Sequence, residues 1–179
     1  MLVHLITGNP HKLRELQAIF PANLEVASQK LDLDEIQTLD VREIVHHKLR
    51  QAFDLMHTPV LVEDVSAELE NLNGLPGPFI KFFEQQLGDA SLYKLSGEGT
   101  GVTIRCVMGF YDGVDEHIVE GILHGTIVAP RGKPTFGFDV VIVPDGYSQT
   151  MAELGPEVKN TISHRYLATK QMAEYLATK

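Results

Sequence analysis

The sequence has few of the features that mark several large classes of protein. Cys106 is its only cysteine, so no disulfide can form within the chain. Its 15 Lys and Arg residues stand against 24 Asp and Glu residues, and the net charge of −9 argues against a general nucleic-acid-binding protein. No apolar run approaches the roughly 20 residues that span a bilayer, and the first residues do not read as a secretory signal. We therefore expect a cytoplasmic protein that contacts neither nucleic acid nor membrane.

Two familiar catalytic motifs are also absent. The glycine-rich Walker A loop does not occur, and neither does the His-Glu-x-x-His pattern of zinc hydrolases. The chain has eight histidines, but His46 and His47 are adjacent on a predicted helix and project about 100° apart, so they cannot share a metal ion. Cys106 lies in a strand-like run over 102–108, which favours a buried small side chain over a nucleophile.

What the sequence does contain is typical of a soluble α/β domain. Its 179 residues, 44% hydrophobic and 22% charged, predict one domain over residues 1–179, in which two lobes share a sheet. Apolar periodicity and turn residues predict strands at 2–6, 24–27, 59–65, 102–111, 116–128 and 138–143, and helices at 10–20, 41–56, 78–87 and 164–177. Strands alternate with helices early and follow one another later, so a mixed sheet is favoured over a doubly wound parallel one.

The first candidate site is a turn between a predicted strand and a predicted helix, Thr7-Gly8-Asn9-Pro10-His11-Lys12. Backbone N–H groups at the start of a helix attract anions, and Lys12 would add a positive charge for a phosphate group. The alternative is an ordinary strand-to-helix turn with a solvated lysine.

The second candidate site is an acidic pair, Glu63-Asp64, which we expect at the end of a buried strand. Neighbouring side chains of a strand point to opposite faces, so only one of the two should line a cleft. Glu35, in an acidic loop, is a plausible second oxygen ligand. Magnesium fits this set, because it commonly takes one or two carboxylates and completes its shell with water and phosphate oxygens. The alternative is simple solvation of the strand end.

The third candidate site lies in the last third of the chain. Phe136-Gly137-Phe138-Asp139 is followed by Lys159-Asn160 and by Ser163-His164-Arg165. Aromatic rings can stack on a nucleotide base, while lysine and arginine bind phosphates or base oxygens. The three sites together predict a metal-assisted enzyme that acts on a nucleoside triphosphate.

Six motifs, in this order along the chain, resemble the inosine triphosphate pyrophosphatase family. They are Thr7-Gly8-Asn9-x-x-Lys12, Val62-Glu63-Asp64, the run from Gly74 to Lys81, the run from Ile127 to Gly132, Phe136-Gly137-Phe138-Asp139 and Ser163-His164-Arg165. The resemblance implies an elongated, curved mixed sheet with flanking helices that form two lobes around a nucleotide cleft, usually in a homodimer. It also implies Mg²⁺-dependent cleavage of non-standard purine nucleoside triphosphates (ITP, dITP and XTP) to a nucleoside monophosphate and pyrophosphate.

The resemblance assigns roles to individual residues. Glu35 and Asp64 would bind the metal, and Asp64 would also activate the attacking water. Phosphate or sugar would be held by Thr7, Gly8, Asn9, Pro10, His11, Lys12, Lys48, Lys81 and Lys159, and the base would be enclosed by Phe136, Gly137, Phe138, Asp139, His164 and Arg165. For Arg165 the alternative is that it neutralises a nearby carboxylate such as Asp139.

Some positions depart from the family pattern. Val65 stands where a small or hydroxylated residue is common, so any substrate contact there would come from its backbone. Phe138 replaces the commoner Trp or Tyr, which keeps stacking but removes a polar group. Two alternative functions therefore remain open at this point: a nucleotide-binding regulator without catalysis, and a pyrophosphatase for another modified nucleotide.

Overall fold

The computed structural model describes residues 2–21, 24–134 and 137–179, with only the backbone of His11. The described helices are α1 Pro10–Gln17, α2 Val41–Met56, α3 Ile80–Leu87, α4 Ser91–Ser96, α5 Met151–Ile162 and α6 His164–Leu176. The strands are β1 Leu2–Ile6, β2 Glu25–Gln29, β3 Val60–Leu69, β4 Pro76–Gly77, β5 Gly101–Tyr111, β6 Glu116–Ile127 and β7 Ile142–Pro144. Short 3₁₀ helices cover Glu70–Leu72 and Gly137–Val141.

The strands form one seven-stranded mixed sheet. Its order is β2-β1-β3-β5-β6-β7, and β4 pairs with β3 to the side of this path. β1 is parallel to both β2 and β3, with Leu5 opposite Leu61, whereas β7 is antiparallel to β6. The predicted mixed α/β sheet with flanking helices is therefore confirmed.

The chain divides into two compact units, each with its own core. Unit 1 contains Met1–Asp64, Cys106–Gly121 and Arg165–Lys179, and unit 2 contains Val65–Arg105 and Ile122–His164. In unit 1 the inner face of α2 packs against β3 and β5, through Val41, Val45, Leu49, Ala52, Val60, Val62 and Val107. In unit 2 the core joins residues of β3, β5 and β6 to the 3₁₀ helix at Gly137–Val141, including Ala67, Ile104, Ile127, Phe138 and Val141.

Helix α2 has the predicted bounds, and its start is fixed by its sequence. Asp40 adopts an extended conformation, and its side chain accepts a hydrogen bond from the backbone N–H of Arg42 at 2.8 Å. This N-cap satisfies a backbone donor that the helix itself cannot pair. Val41, Ile44, Val45, Leu49 and Ala52 form the buried face at helical spacing. Four of these were expected to face inward from the sequence, together with Phe53, which is only partly buried.

Three features of the sequence prediction are wrong. The predicted strand at 138–143 is a 3₁₀ helix followed by the short β7, because Gly137 enters the segment with a φ of 56° and the next four residues are all buried. Strand β3 continues to Leu69 instead of ending at the acidic pair, because the charge of Glu63 is balanced by ion pairs within the protein. Helices α4 and α5 have no counterpart in the prediction.

Helix α5 was missed although its N-terminus has a clear signal. Thr150 accepts a hydrogen bond from the N–H of Glu153, whose carboxylate accepts one from the N–H of Thr150. This reciprocal capping box marks a helix start. The following Gly155-Pro156 reads as a helix break, and the helix is indeed interrupted at Gly155, where φ is 73°.

Candidate active site

The turn Thr7–Lys12 follows β1 and leads into α1, as predicted. Thr7 Oγ1 accepts a hydrogen bond from the backbone N–H of Asn9 at 3.1 Å, which tightens the turn, and Pro10 is the first residue of the helix. Proline suits this position, since its missing N–H would have no partner within the helix. An added Cβ at Gly8 would lie 3.3 Å from the Lys30 side chain, so the turn passes close to that lysine.

Lys12, the last residue of this turn, belongs to an ion-pair network with Glu15, Glu63 and Arg165. Lys12 Nζ lies 2.9 Å from Glu63 Oε1, and Arg165 Nε donates to both oxygens of Glu63 at 3.0 and 3.1 Å. Arg165 Nη1 also donates to Glu15 Oε2 at 2.7 Å. Glu63 and Arg165 are 5% and 4% exposed, so their charges need this pairing.

The network determines the charge of its members. Burial by itself would raise the pKa of Glu63, but the positive charges of Arg165 and Lys12 and their hydrogen bonds hold that pKa well below its usual range. Burial disfavours the Arg165 cation, yet the negative charge of Glu63 raises the pKa of Arg165 above its usual value. Glu63 is therefore a carboxylate and Arg165 a guanidinium at every physiological pH.

Cys106 lies beside this network, in surroundings that disfavour a nucleophilic thiolate. It is fully buried in β5, and its Sγ donates to Glu63 Oε2 at 3.6 Å. Burial and the negative charge of Glu63 raise the pKa of the thiol well above its usual value. The prediction of a buried small side chain is confirmed.

A second group in unit 1, the carboxylate–lysine cluster, contains Glu35, Lys48 and Asp64. Lys48 projects from α2, and its Nζ lies 2.7 Å from Glu35 Oε1 and 2.6 Å from Asp64 Oδ2. Burial alone would lower the pKa of Lys48, but the charges and hydrogen bonds of Asp64 and Glu35 raise it, so the ammonium is retained. Two carboxylates thus converge on one cation, and these are the two residues predicted to bind metal.

The two neighbours Glu63 and Asp64 have different surroundings. Glu63 is buried among cations, whereas the Asp64 side chain is 24% exposed and shares Lys48 with Glu35. This agrees with the expectation that adjacent residues of a strand point to opposite faces. It also gives Glu63, which sequence reasoning left without a role, a place as the carboxylate that binds Lys12 and Arg165.

The carboxylate–lysine cluster fits a magnesium ion in its chemistry. Over the described ranges, no group of three His, Cys, Asp or Glu side chains could hold a metal by itself. Magnesium does not need such a group, because one or two carboxylates suffice when substrate phosphates complete its shell. Glu35 and Asp64 are oxygen ligands that already bind a cation at a common position.

Apart from Arg165, the described residues predicted to enclose the base belong to unit 2, as do Lys81 and Lys159, which were predicted to bind phosphate or sugar. Asp139 is 4% exposed, and its Oδ2 accepts a hydrogen bond from Lys159 Nζ at 2.7 Å. Lys159 lies on α5, so the missed helix supplies one of the predicted site residues. Asp139 has Lys159 as its partner, while Arg165 pairs with Glu63 and Glu15 in unit 1.

The other predicted residues of unit 2 have varied surroundings. Phe138 is buried in the core of this unit, and Val65 packs against the same core from β3. Lys81 is exposed on α3, and His164 is buried at the first residue of α6. Phe136 lies outside the described residues.

One residue near the predicted base site was not found from the sequence. Glu84 of α3 lies against the backbone at Gly137, and an added Cβ at Gly137 would lie 2.7 Å from Glu84 Oε1. Burial raises the pKa of Glu84 to about 7, and the charges of Asp89 and Asp139 act in the same direction. An acidic residue on a short amphipathic helix carries no sequence signal for such a contact.

The part of the chain that the structure describes contains no helix that is both long enough and apolar enough to cross a membrane.

Comparison with known proteins identifies the family. The Ham1 family model matches residues 3–175. The chain is 41% identical to the inosine triphosphate pyrophosphatase of Yarrowia lipolytica, over 100% of this chain and 97% of that protein. It is 37% identical to the inosine triphosphate pyrophosphatase of Schizosaccharomyces pombe, over 96% of this chain and 93% of that protein.

Solved structures have the same fold. A HAM1 protein from Coxiella burnetii superposes with a TM-score of 0.86 at 25% identity, covering 100% of both chains. The Ham1 protein of Staphylococcus aureus gives the same TM-score at 22% identity, covering 99% of each chain. The resemblance stated from six motifs is thus confirmed over nearly the full length, and the chain belongs to the Ham1 family.

Proposed function

We propose that this protein hydrolyses non-standard purine nucleoside triphosphates such as ITP, dITP and XTP to the nucleoside monophosphate and pyrophosphate. The names of its relatives in Yarrowia lipolytica and Schizosaccharomyces pombe support this reaction class. The observation that carries the proposal is the convergence of Glu35 and Asp64 on Lys48 Nζ. Two carboxylates and a lysine at one point are what a metal-bound triphosphate requires.

In this proposal the residues of unit 1 act on the triphosphate. Glu35 and Asp64 would hold Mg²⁺, which would supply positive charge to offset the charge that develops on the departing pyrophosphate. Lys48 would exchange its carboxylate partners for phosphate oxygens, and the Thr7–Lys12 turn would offer backbone N–H groups. Asp64 would accept the proton of the attacking water.

The Glu63 carboxylate has a supporting role in the same proposal. It holds Lys12 Nζ at 2.9 Å and so limits the positions that this lysine can take. A positioned lysine loses less rotamer entropy when it meets a phosphate than a solvated one does. The negative charge of Glu63 also offsets the repulsion between Lys12 and Arg165, the two cations that it binds.

The base would be selected by residues of the last third of the chain. Hypoxanthine and xanthine carry an oxygen acceptor at position 6, where adenine carries an amino donor. Donors from His164 and the backbone N–H groups of residues 137–139 would pair with that oxygen and oppose the amino group, and we propose that Arg165 also contributes to base selection. We also propose that Lys81 and Lys159 contact phosphate or sugar, that Val65 contributes its backbone, and that the enzyme is a cytoplasmic homodimer.

The test is product analysis with a matched pair of variants. The purified protein, incubated with ITP and Mg²⁺, should release pyrophosphate and IMP, and Asp64→Asn should lose this activity. Asp54→Asn makes the same chemical change at an exposed position of α2 and should retain the wild-type rate. Release of orthophosphate alone would contradict the proposal, and tight binding of ITP without turnover would favour a nucleotide-binding regulator. A panel of modified pyrimidine nucleotides would reveal another substrate.

A further inference from the structure

Glu84 contacts the backbone of the segment Gly137–Asp139, here called the 137–139 segment. Its Oε1 atom lies 2.7 Å from the position of an added Cβ at Gly137, so the carboxyl group rests against this residue. The backbone N–H of Phe138 hydrogen-bonds the same carboxyl group. Gly137 has a φ of 56°, so both its backbone angle and the nearby carboxyl group disfavour any larger residue.

The surroundings of this carboxyl group are unfavourable for a charge. Its Oε1 atom is buried, and no atom of the described residues hydrogen-bonds it. The negative charges of Asp89, which follows α3, and of Asp139 act on it, and Asp139 is itself paired with Lys159 at 2.7 Å. A glutamate on a surface helix normally turns its carboxyl group toward water. The buried oxygen of Glu84 therefore calls for an explanation.

We propose that Glu84 is a positioning residue of the nucleotide site: it accepts the Phe138 N–H, packs against Gly137, and so fixes the backbone that carries Phe138 and Asp139. This inference rests on the proposed function, since it supposes that the 137–139 segment contacts the base. Glu84 itself touches backbone, so it acts through the segment. Its removal should weaken substrate binding more than it slows the chemical step.

Because the Glu84 carboxyl group is partly buried near two other carboxylates, its hold on the 137–139 segment should depend on pH. The pKa of Glu84 is about 7, against the usual value near 4.5, so the folded arrangement disfavours the ionised form. At low pH the group is protonated whether or not the arrangement forms, and no penalty exists. The penalty grows as the pH rises from about 4.5 to 7 and is complete above that. The 137–139 segment should therefore be held best in mildly acidic solution.

The experiment compares KM and kcat for ITP with Mg²⁺ in the wild type, Glu84→Gln and Glu84→Ala between pH 5.5 and 8. Gln keeps an oxygen acceptor but cannot ionise, whereas Ala removes the acceptor. At pH 6 we expect Glu84→Ala to raise KM about fivefold, the ratio that corresponds to one lost hydrogen bond, with a smaller change in kcat. Glu84→Gln should restore KM at that pH.

The pH profile separates positioning from a merely structural role. The ratio of the wild-type KM to the KM of Glu84→Gln cancels the titration of the substrate itself. We expect this ratio to increase about threefold between pH 5.5 and 7 and to stay constant above. Glu98→Gln, which neutralises an exposed carboxylate in the same unit, should follow the wild type at every pH.

The outcomes distinguish a failure of the positioning role of Glu84 from a failure of the proposed function. If the wild type is active and both Glu84 variants share its KM and its pH profile, Glu84 positions nothing and the inference is wrong, while the proposed function stands. If the wild type releases no pyrophosphate from ITP, the proposed function fails and the inference falls with it. If Glu84→Ala does not fold, the pH profile of Glu84→Gln decides by itself.

Discussion

Replacing Glu63 with Gln should strongly destabilise unit 1. The carboxylate is buried between Lys12 Nζ at 2.9 Å and Arg165 Nε at 3.0 Å, so the amide leaves two cations without their shared counter-charge. Removing one partner of a buried ion pair typically costs about 3–5 kcal/mol. Glu15 still pairs with Arg165, and the Lys12 side chain is 22% exposed to water, so we expect a loss of about 2–4 kcal/mol.

Denaturant and thermal unfolding of the wild type and Glu63→Gln would measure this loss at neutral pH. For a chain of this length, about 3 kcal/mol corresponds to a fall in Tm of about 6–12 °C. The control is Glu120→Gln, which breaks an ion pair at 2.9 Å with Arg42; the Arg42 side chain is 51% exposed and the Glu120 side chain 16% exposed. Because the cation of this pair is half exposed to water, the pair should contribute no more than about 1 kcal/mol. If Glu63→Gln lowered the free energy of unfolding no more than Glu120→Gln, the argument from burial would be refuted.

Four further predictions follow from the two units. Asp64→Asn should reduce turnover of ITP by about 10²-fold or more, because the amide keeps the size but neither binds Mg²⁺ strongly nor accepts a proton, as steady-state kinetics would show. The fold should remain intact with only a modest fall in Tm, because Lys48 keeps its ion pair with Glu35. Lys159→Met should remove the cation that pairs with the buried Asp139 carboxylate at 2.7 Å and lower the free energy of unfolding by about 2–4 kcal/mol, as urea titration would measure. Arg165→Ala should lower the Tm through loss of its pairs with Glu63 and Glu15, and should reduce ITP turnover more than ATP turnover; equal reductions would assign Arg165 to the ion-pair network alone. Because the pKa of Glu84 is raised to about 7, the free energy of unfolding of the wild type should fall relative to that of Glu84→Gln as the pH rises from about 4.5 to 7. The expected fall is about 1 kcal/mol after allowance for partial exposure. Unfolding would be measured at several pH values, and a difference that does not change with pH would contradict this prediction.

The sequence predicted those elements whose apolar residues repeat with one clear period. Helix α2 was predicted with its observed bounds, because its apolar residues recur at helical spacing. The prediction for residues 137–144 was wrong because this stretch has no such period. Val140, Val141 and Ile142 form a continuous apolar run, and such a run is buried equally well in a strand or in a 3₁₀ helix.

The candidate site was predicted in its residue types and only partly in its pairings. Glu35, Lys48 and Asp64 were each singled out, and the structure brings them together within hydrogen-bonding distance. The partners of Arg165 could not be foreseen, because Glu15 and Glu63 lie 150 and 102 positions away in the chain. Glu84 was missed because its significance depends on how α3 approaches Gly137, which no local pattern encodes.

The most direct test of the account is the product released from ITP in the presence of Mg²⁺ by the wild-type protein, measured alongside ATP at equal concentration. We expect stoichiometric pyrophosphate and IMP from ITP, at a rate far above that of pyrophosphate release from ATP, and no release after chelation of the metal. Orthophosphate as the only phosphate product, or equal rates with ITP and ATP, would contradict it.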